Sequence, residues 1–311
     1  MGAAITGWGT ALPPGVVTND DFAKRLDTSD AWITERTGIH ERRWGGTTTD
    51  LAIEAGAMAL KHAGLQGRDI DLLILATTTP DQTIPATSSL VHHKLGLAGG
   101  GFDLNAACAG FTYALVTAAA LLGAGHERCL LIGAETLSKT LDKDDRSTAI
   151  LFGDGAAAVV LERSSVHELI LSHDIGVDGG AFDLIVAEHG GFLRMEGREV
   201  FRRAVRVELA SIGKVLDLAG IKPADVALFV PHQANVRIIE SVNEKLGFTM
   251  DQTAIVLDRT GNTSAASIPL ALAEAADAGR LHEGDLVLLS GFGAGMTWAS
   301  AVIRWGVASG K

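Results

Sequence analysis

The sequence has few cysteines, prolines and aromatic residues. Its 311 residues include two cysteines, seven prolines and one tyrosine, and aromatic residues make up 5% of the chain. Cys108 and Cys129 lie in apolar surroundings, without the spacing of zinc ligands or of a disulfide framework. We therefore predict no metal site, and two cysteines of this kind fit the reducing cytoplasm.

The sequence also lacks an excess of positive charge and long apolar runs. Its formal net charge is −11, so an anionic partner needs a local basic patch. No apolar run approaches the length of about 18 residues that is typical of a transmembrane helix. The N-terminal residues lack the basic and apolar regions of a signal peptide. We therefore expect no nucleic-acid binding, no membrane span and no export.

Hydrophobic residues make up 47% of the chain, which also contains 37 glycines. This composition and length predict a compact α/β protein, built as one large domain or as two fused halves. Residues 63–75 match residues 219–231, which lie 156 positions later, and residues 128–133 match residues 284–289 at the same offset. The single offset indicates duplication of a whole half, and we place the halves at residues 1–165 and 166–311.

Local patterns predict the elements of each half. Strands that alternate with helices predict parallel-type sheets covered by helices. Thr49 and Asp50 predict the start of an amphipathic helix that ends near His62, and a longer helix is predicted over residues 196–218. Residues 36–43 are basic and interrupted by a glycine, which predicts an exposed loop.

Cys108 follows a strand-like run and precedes an apolar segment, residues 109–122, without interior charge. A segment that is apolar on all sides predicts a buried helix with Cys108 in its first turn. A helix N-terminus favours a thiolate and lowers a cysteine pKa from about 8.5 to roughly 3.5–7.5. The pattern thus predicts a nucleophile at the bottom of an apolar pocket. The alternative is a free cysteine that only packs in the core.

Two polar residues of the second half lie at comparable positions. His232 follows a buried strand, at the edge where α/β sheets place function, and a structural imidazole is the alternative. Asn262 lies in a predicted strand–turn–helix join, residues 258–267, and is either a functional residue or a helix N-cap. The residue 156 positions after Cys108 is Ser264, which lies close to Asn262 in the sequence. We therefore expect equivalent helix N-termini at one cleft between the halves.

A glycine-rich segment, residues 290–298, follows another predicted strand. It matches neither the dinucleotide-binding pattern nor a Walker loop, so it does not indicate a phosphate cradle. Its backbone N–H groups could instead stabilise an oxyanion over Cys108.

The motifs around these residues resemble those of the β-ketoacyl-acyl carrier protein synthase III family. Cys108 lies in Asn-Ala-Ala-Cys-Ala-Gly-Phe, His232 in Pro-His-Gln-Ala-Asn and Asn262 in Gly-Asn-Thr-Ser-Ala-Ala-Ser. The resemblance extends from the first strand to residue 305. It implies a thiolase-type fold, in which two duplicated halves form a five-layered αβαβα sandwich and work as a homodimer. Further matching motifs begin at Asp27, Arg36, Phe152 and Gly293.

The resemblance also implies a condensation of an acyl-CoA primer with malonyl-acyl carrier protein, which starts fatty-acid synthesis. Cys108 would take the acyl group from CoA as a new thioester. Malonyl-acyl carrier protein would then lose carbon dioxide, and His232 and Asn262 would stabilise the enolate by hydrogen bonds. The backbone N–H groups of Cys108 and Ala294 would form the oxyanion hole. No cofactor is implied, because acyl-CoA is a substrate.

Binding roles follow from the same resemblance. Trp32 and Arg146 would sandwich the CoA adenine, and Arg36 would approach the CoA phosphates. The residues that would line the pantetheine tunnel are Met195, Gly197, Phe201 and Asn235. Contacts to the acyl carrier protein map to Gln233, Ala234, Asn235, Val236 and Arg237, and to the basic residues Arg202, Arg206 and Lys245.

The basic residues also form a pattern of their own. Arg198, Arg202 and Arg206 recur at intervals of four and so share one stripe of the predicted helix. A solvated helix face is the usual explanation of such a stripe. Because Arg237 and Lys245 follow the histidine motif, we predict a basic patch of Arg202, Arg206, Arg237 and Lys245 at the tunnel mouth.

Two features of the sequence bear on the acyl primer but do not identify it. Residues 176–191 form a shorter segment than is usual in the family, where this region helps to cap the acyl pocket. Ile84 lies in the loop that, in the family, reaches into the pocket of the partner subunit. A branched aliphatic side chain there admits a differently shaped primer from a large aromatic one. The sequence does not rank acetyl, branched and longer primers.

Other activities compete with this assignment. A starter-unit ketosynthase or an acyltransferase of a secondary, polyketide-type pathway shares the scaffold, although retention of both His232 and Asn262 favours carbon–carbon bond formation. A biosynthetic thiolase needs a second cysteine near residues 293–296, where none occurs. A cysteine hydrolase lacks support because its Cys-Gly-Ser/Ala-Cys-Trp type of signature is absent. A catalytically silent acyl-CoA-binding protein would keep Trp32 and Arg146 but lose a catalytic side chain.

Overall fold

Strands and helices alternate along most of the chain in the computed structural model, which describes residues 2–306. The strands are β1 (Gly2–Ala11), β2 (Val16–Thr18), β3 (Glu41–Arg43), β4 (Leu72–Ala76), β5 (Gly100–Leu104), β6 (Arg128–Thr136), β7 (Asp154–Glu168), β8 (Ile170–Val177), β9 (Ile185–Val186), β10 (Arg194–Met195), β11 (Leu228–Pro231), β12 (Leu286–Gly293) and β13 (Thr297–Arg304). The helices are α1 (Asn19–Ala23), α2 (Asp30–Thr37), α3 (Thr48–Ala63), α4 (Thr87–Leu95), α5 (Gly110–Gly123), α6 (Arg146–Ala149), α7 (Gly197–Ala219), α8 (Val236–Leu246), α9 (Leu257–Thr260) and α10 (Ser267–Asp277). None of these helices of the described chain combines the length and the hydropathy that crossing a bilayer requires.

The strands form two main sheets, with the orders β1-β7-β6-β4-β5 and β11-β12-β13-β8. β4 pairs in parallel with β5 and β6, and β11 pairs in parallel with β12. The other ladders of these sheets are antiparallel, so the prediction of parallel-type sheets is wrong for them. Between β12 and β13 the reason is the connection, residues 294–296. Three residues permit an antiparallel return, whereas a parallel one needs a crossover of about a dozen residues.

The two sheets enclose α5 and α10. α5 is buried on nearly all sides, as predicted, and shares one core with α10 and with both sheets. Ile74 of β4 belongs to this central core, whereas its neighbours Leu73 and Leu75 face α3 on the outer side. α7 and α8 pack in the same way on the outer face of the second sheet. The layers therefore follow the αβαβα order of the thiolase-type fold.

Corresponding elements of the two halves are separated by 156 to 158 residues. Leu72 and Leu228 are 156 positions apart, whereas Cys129 and Val287, which pair with them, are 158 apart. α5 and α10 begin 157 positions apart. The predicted constant offset is therefore wrong for the later elements, because single residues are inserted between them.

The counterpart of Cys108 is accordingly Ala265 and not Ser264. Each of these two residues is the middle one of the 3₁₀ turn that leads into α5 or α10. Both turns begin with a left-handed residue, Ala107 or Ser264, with φ +49°. The same local backbone is thus built twice, once in each half.

The chain passes from the first sheet to the second at residue 169, since β7 ends at Glu168 and β8 begins at Ile170. The predicted division after residue 165 falls within the last residues of β7. The ends of the predicted halves, residues 1 and 307–311, lie outside the described residues.

Two predicted element starts are wrong. α3 begins at Thr48, because the Asp81 carboxylate accepts the backbone N–H groups of Thr48 and Thr49 and Thr47 caps the helix. Residues 258–267 do not begin as a strand, since the short helix α9 precedes Asn262. By contrast, α7 begins and ends within one residue of its prediction.

Residues 36–43 do not form the predicted exposed loop. Gly38 ends α2 in the left-handed conformation, and the chain then continues as β3. Alternation along β3 points Arg42 inward, where it is fully buried. Its guanidinium donates to Val17 O at 3.1 Å, to Asn19 Oδ1 at 2.9 Å and to Ile150 O at 2.5 Å. Burial lowers the pKa of Arg42 to about 10.

We predict that Arg42→Met lowers the free energy of unfolding by about 3 kcal/mol or more. The substitution leaves two buried acceptors and a partly buried one without their donor, and each loss of a buried partner costs about 1–3 kcal/mol. Chemical denaturation followed by tryptophan fluorescence measures the change. Arg25→Met is the matched control, because the exposed Arg25 guanidinium lies 5.3 Å from the Phe22 ring that Arg42 also contacts. Equal losses in the two variants would contradict the prediction.

Candidate active site

A cavity of about 660 Å³ lies between the two halves. Its wall contains Cys108, His232 and Asn262, which come from three separate segments of the chain. The residues predicted to line the pantetheine tunnel lie in the same wall, as does Ala294 of the predicted oxyanion hole. These residues are Met195, Gly197, Phe201, Asn235 and Ala294.

Cys108 is held by the 3₁₀ turn before α5. The Asn105 side chain accepts the N–H of Ala107 at 3.1 Å, which supports the left-handed start of the turn. The end of β12 lies against this turn so closely that a Cβ on Gly293 would be 2.5 Å from Cys108 N. Only glycine permits that approach.

The two predicted oxyanion donors belong to adjoining segments. The Thr297 hydroxyl lies 2.8 Å from Ala106 O and 3.1 Å from Ala294 O, so it joins the turn of Cys108 to the turn after β12. Cys108 and Ala294 both line the cavity. The two segments that carry the predicted donors therefore meet at the cavity wall.

The electrostatics of Cys108 differ from the sequence prediction. The thiol is partly exposed toward the cavity, but burial raises its pKa to about 12, and a hydrogen bond from the Ser264 hydroxyl opposes this rise only in part. The predicted lowering of the pKa is wrong, because the loss of hydration and, to a smaller extent, the nearby Glu135 carboxyl raise it. The free protein therefore holds a neutral thiol at pH 7.

A buried carboxyl group lies beneath the thiol and was missed in the sequence. Glu135 is fully buried, and its oxygens accept from Thr79 Oγ1 at 2.5 Å and from Thr78 N at 3.1 Å. The Ser264 hydroxyl contacts it as well, and burial raises the pKa of Glu135. The sequence signal that could have identified Glu135 is its position as an acidic residue at the end of the apolar strand β6.

His232 lies directly after β11, as predicted, and is almost completely buried. Its Nδ1 is 2.7 Å from the Ser267 hydroxyl, and its ring contacts Phe292 edge to face at 5.4 Å. Burial lowers the pKa of His232 to about 3. The imidazole is therefore neutral at physiological pH.

Asn262 precedes the turn that leads into α10 and is not an N-cap, since Thr263 caps the turn and Ala266 caps the helix. Its Oδ1 accepts the N–H of Ser264, the first residue of the turn, at 2.9 Å. This bond fixes the orientation of the carboxamide. The NH₂ group has no partner among residues 2–306 and borders the cavity, so it is available to a ligand.

The residues predicted to hold the CoA nucleotide lie outside the cavity wall. The guanidinium carbons of Arg36 and Arg146 are 4.4 Å and 4.7 Å from the Trp32 ring. Asn235, in the cavity wall, donates to Arg36 O at 3.0 Å. The aromatic and cationic cluster is thus linked to the cavity entrance.

One predicted carrier-protein contact is excluded. Gln233 is fully buried. Its amide nitrogen donates to Pro231 O and Ala254 O, and its amide oxygen accepts from Val256 N and Leu257 N. The prediction for Gln233 is wrong, because its side chain joins β11 to the segment before α9 and does not reach the surface.

The other predicted contacts lie nearer the surface. Ala234, Asn235 and Val236 are half-buried. The basic side chains are exposed on α7 and α8, two helices that pack together. Arg202 pairs with Glu199, and Arg237 lies 3.5 Å from the Glu35 carboxylate. The four predicted patch residues are Arg202, Arg206, Arg237 and Lys245.

Residues 176–191, together with β10, close one side of the cavity. They form a 3₁₀ turn followed by the β9–β10 ribbon, and Phe182 and Ile185 line the cavity. Ile84 lies elsewhere, in an exposed loop, and its side chain is 85% exposed.

We predict that alkylation of Cys108 by iodoacetamide accelerates about tenfold per pH unit between pH 7 and pH 9. Far below the pKa the thiolate fraction rises in proportion to hydroxide, and the thiolate is the reacting species. Mass spectrometry of the labelled peptide measures the rate. In Cys108→Ser the fully buried Cys129 should stay unlabelled. A rate that is already constant near pH 7 would contradict the prediction and would show that the helix N-terminus outweighs burial.

Comparison with known proteins assigns the chain to a family. A family model described as 3-oxoacyl-[acyl-carrier-protein (ACP)] synthase III matches residues 102–179, and the model of its C-terminal part matches residues 216–305. The β-ketoacyl-[acyl-carrier-protein] synthase III of Erythrobacter litoralis is 49% identical over 97% of this chain and 99% of that protein.

Solved structures agree with this assignment. The 3-oxoacyl-[acyl-carrier-protein] synthase III of Aquifex aeolicus has a TM-score of 0.96 and 45% identity, over 98% of this chain and 100% of that one. The priming β-ketosynthase of the R1128 polyketide pathway has a TM-score of 0.92 and 35% identity, over 97% and 96% of the two chains. The chain, with its thiolase-type fold, belongs to the β-ketoacyl-acyl carrier protein synthase III family.

Proposed function

We propose that Cys108, His232 and Asn262 join an acyl-CoA primer to malonyl-acyl carrier protein, with release of CoA and carbon dioxide. As a member of its family the chain is a condensing acyltransferase of fatty-acid synthesis. The roles of the residues rest on one observation: a thiol, an imidazole and a carboxamide share the wall of one cavity. Acyl-CoA enters as a substrate, and the proposed chemistry uses no cofactor. Two free cysteines support a cytoplasmic site of action.

Cys108 is the proposed acyl acceptor. Its sulfur attacks the carbonyl carbon of the acyl-CoA thioester, the bond to the CoA sulfur breaks, and the thiol proton leaves with CoA. The N–H groups of Cys108 and Ala294 would hold the oxyanion of the tetrahedral intermediate. Because the Thr297 hydroxyl keeps the two segments together, these donors need no rearrangement during the step.

His232 and Asn262 are the proposed enolate donors. Loss of carbon dioxide leaves its electron pair on the malonyl thioester as an enolate, whose oxygen would accept hydrogen bonds from the imidazole and the Asn262 NH₂ group. The enolate carbon then attacks the acyl group on Cys108, and the cysteine sulfur leaves and takes up a proton. Neutral donors in a buried site suit this step, since the negative charge appears only during the reaction.

Trp32, Arg36 and Arg146 are the proposed nucleotide site. An adenine stacked between Trp32 and Arg146 requires contacts of about 3.5–4 Å on each of its faces. The present distance of 4.7 Å between Arg146 and the Trp32 ring leaves no room for it. Arg146 therefore swings outward when CoA binds, and Arg36 remains near the phosphates.

The exposed edge of the first sheet supports a homodimer. β5 is the last strand in its sheet, and Phe102 on it is 37% exposed. An edge strand with an exposed aromatic residue is a favourable pairing site for a second copy of the chain. The 85% exposure of Ile84 fits a side chain that is covered in the pocket of the partner subunit.

A starter-unit ketosynthase of a polyketide pathway is the second candidate. The similarity to the priming β-ketosynthase of the R1128 pathway favours it, since that protein shares the fold over nearly the whole chain. The two candidates differ in the primer and the later pathway and use the same chemistry. A silent acyl-CoA-binding protein is disfavoured by the free Asn262 NH₂ group beside the cavity.

We predict that the catalytic variants divide into two groups with different defects. Cys108→Ser should lose at least about a hundredfold in uptake of radiolabelled acyl groups. His232→Ala and Asn262→Ala should keep acylation within about threefold but lose about a hundred- to a thousandfold in condensation, because each lacks one oxyanion-type donor. Acyl-protein autoradiography and carbon dioxide release from malonyl-acyl carrier protein, each with a panel of acyl-CoA primers, measure the two steps.

The same assays discriminate between the candidates. Acyl transfer to carrier protein without carbon dioxide would favour the acyltransferase, and acyl-CoA binding without either product would favour the silent protein. Full acyl uptake by Cys108→Ser would refute the role of the nucleophile. The primer with the highest kcat/KM separates the fatty-acid from the starter-unit role.

The basic patch gives a further prediction, because an acidic enzyme needs local positive charge to receive an acidic carrier protein. Arg237→Glu should raise the KM for malonyl-acyl carrier protein about tenfold and leave the KM for acyl-CoA within about twofold. Steady-state kinetics at low and moderate salt measure both constants. Arg68→Glu, which reverses an exposed charge of the first half, is the control. Unchanged carrier affinity in Arg237→Glu would refute the patch.

A further inference from the structure

The first residue of α10, Ser267, contacts the proposed catalytic histidine from behind. Ser267 is fully buried, and its hydroxyl oxygen is 2.7 Å from His232 Nδ1. The same oxygen accepts the backbone N–H of Gln233 at 3.3 Å. The resemblance to the family assigned no role to this residue.

A count of donors and acceptors determines which ring nitrogen of His232 carries the proton. The serine hydroxyl has one proton to donate. Within residues 2–306, no acceptor other than His232 Nδ1 lies within hydrogen-bonding distance of it. The neighbouring donor, Gln233 N–H, already points at the serine oxygen. The hydroxyl proton therefore points at Nδ1, and this nitrogen accepts.

We propose that Ser267 is a positioning residue that fixes the Nε2–H tautomer of His232 and thereby directs a hydrogen-bond donor at the enolate. A neutral imidazole carries one proton and has two nitrogens, so an acceptor at Nδ1 makes Nε2 the donor. Without Ser267 the ring distributes its proton between both nitrogens. This inference rests on the function proposed for His232.

The Nε2–H tautomer of His232 suits only one of the two half-reactions, the condensation. With its proton on Nε2, the ring can donate to the oxygen of the malonyl-derived enolate, but the same nitrogen is not free to accept the proton of the Cys108 thiol. Acylation therefore proceeds without His232 as a base. A change at Ser267 should slow decarboxylation and carbon–carbon bond formation while acyl uptake continues.

The duplication supports a specialised role for Ser267. Its counterpart at the start of α5, 157 positions earlier, is Gly110, which has no side chain. α5 begins in the same way as α10 although it has no hydroxyl at this position. The start of α10 therefore does not require the Ser267 hydroxyl. The hydroxyl occurs in the half that carries the histidine.

The first test observes the tautomer directly. In protein labelled with ¹⁵N-histidine, long-range ¹H–¹⁵N spectra distinguish the protonated from the unprotonated ring nitrogen, and His232→Gln assigns the resonance among the ten histidines. We expect the Nε2–H form in the wild-type protein and a mixture of forms in Ser267→Ala. An Nδ1–H form in the wild-type protein would overturn the proposal, whatever the variants do.

The second test separates positioning from folding. Ser267→Ala should lower kcat for condensation about ten- to a hundredfold, which is less than the loss of the whole donor. It should keep single-turnover acylation of Cys108 within about twofold. Ser267→Thr, which retains a hydroxyl, should recover at least about half of the lost rate. Ser172→Ala, which removes a buried hydroxyl that donates to Val215 O, is the control for a general packing defect.

The outcomes distinguish this inference from the proposed function. Equal losses of acylation and condensation in Ser267→Ala, or unchanged condensation, would overturn the role of Ser267. Failure of the wild-type protein to acylate Cys108 would overturn the proposed function itself. If Ser267→Ala does not fold, the wild-type spectrum and Ser267→Thr still decide the tautomer.

Discussion

The site depends on the close approach of two backbone turns, those that lead into α5 and α10. Each turn lies against a central strand of the other half. A Cβ on Gly133 of β6 would be 2.4 Å from Ala265 O, and a Cβ on Gly293 of β12 would be 2.5 Å from Cys108 N. Because glycine alone permits these distances, the strands hold the turns in place before any ligand arrives. The nucleophile and the donors thus owe their geometry to backbone contacts.

Backbone positions could be predicted from the sequence, whereas side-chain environments could not. Cys108 was found because an apolar helix follows it, and His232 because an apolar strand precedes it; both are local signals. The pKa of Cys108 depends instead on burial and on Glu135 and Ser264, which the fold brings from elsewhere. The burial of Arg42 likewise depends on acceptors in distant segments. Such environments arise from packing between distant segments, and the hydrophobic periodicity of the sequence does not predict them.

The three side chains proposed to carry the reaction are uncharged in the resting state. Burial favours a protonated thiol at Cys108 and an uncharged ring at His232, and Asn262 carries no charge at any pH. Both steps of the reaction create negative charge, first on the acyl oxygen and then on the enolate oxygen. In a site of low polarity a fixed N–H donor stabilises such charge more than water does. Uncharged reacting groups therefore bind a neutral thioester at little cost, and the fixed donors still favour its charged intermediates.

The duplication separates structural residues from functional ones. Asn105 and Asn262, 157 positions apart, each accept an N–H at the start of the following turn, and this shared bond serves the backbone of both halves. The positions of the proposed nucleophile and of the imidazole, by contrast, differ between the two halves. The counterpart of Cys108 is Ala265, and that of His232, by the offset of β4 and β11, is Ala76. The two copies therefore share what builds the cleft, and the reaction depends on the positions at which they diverge.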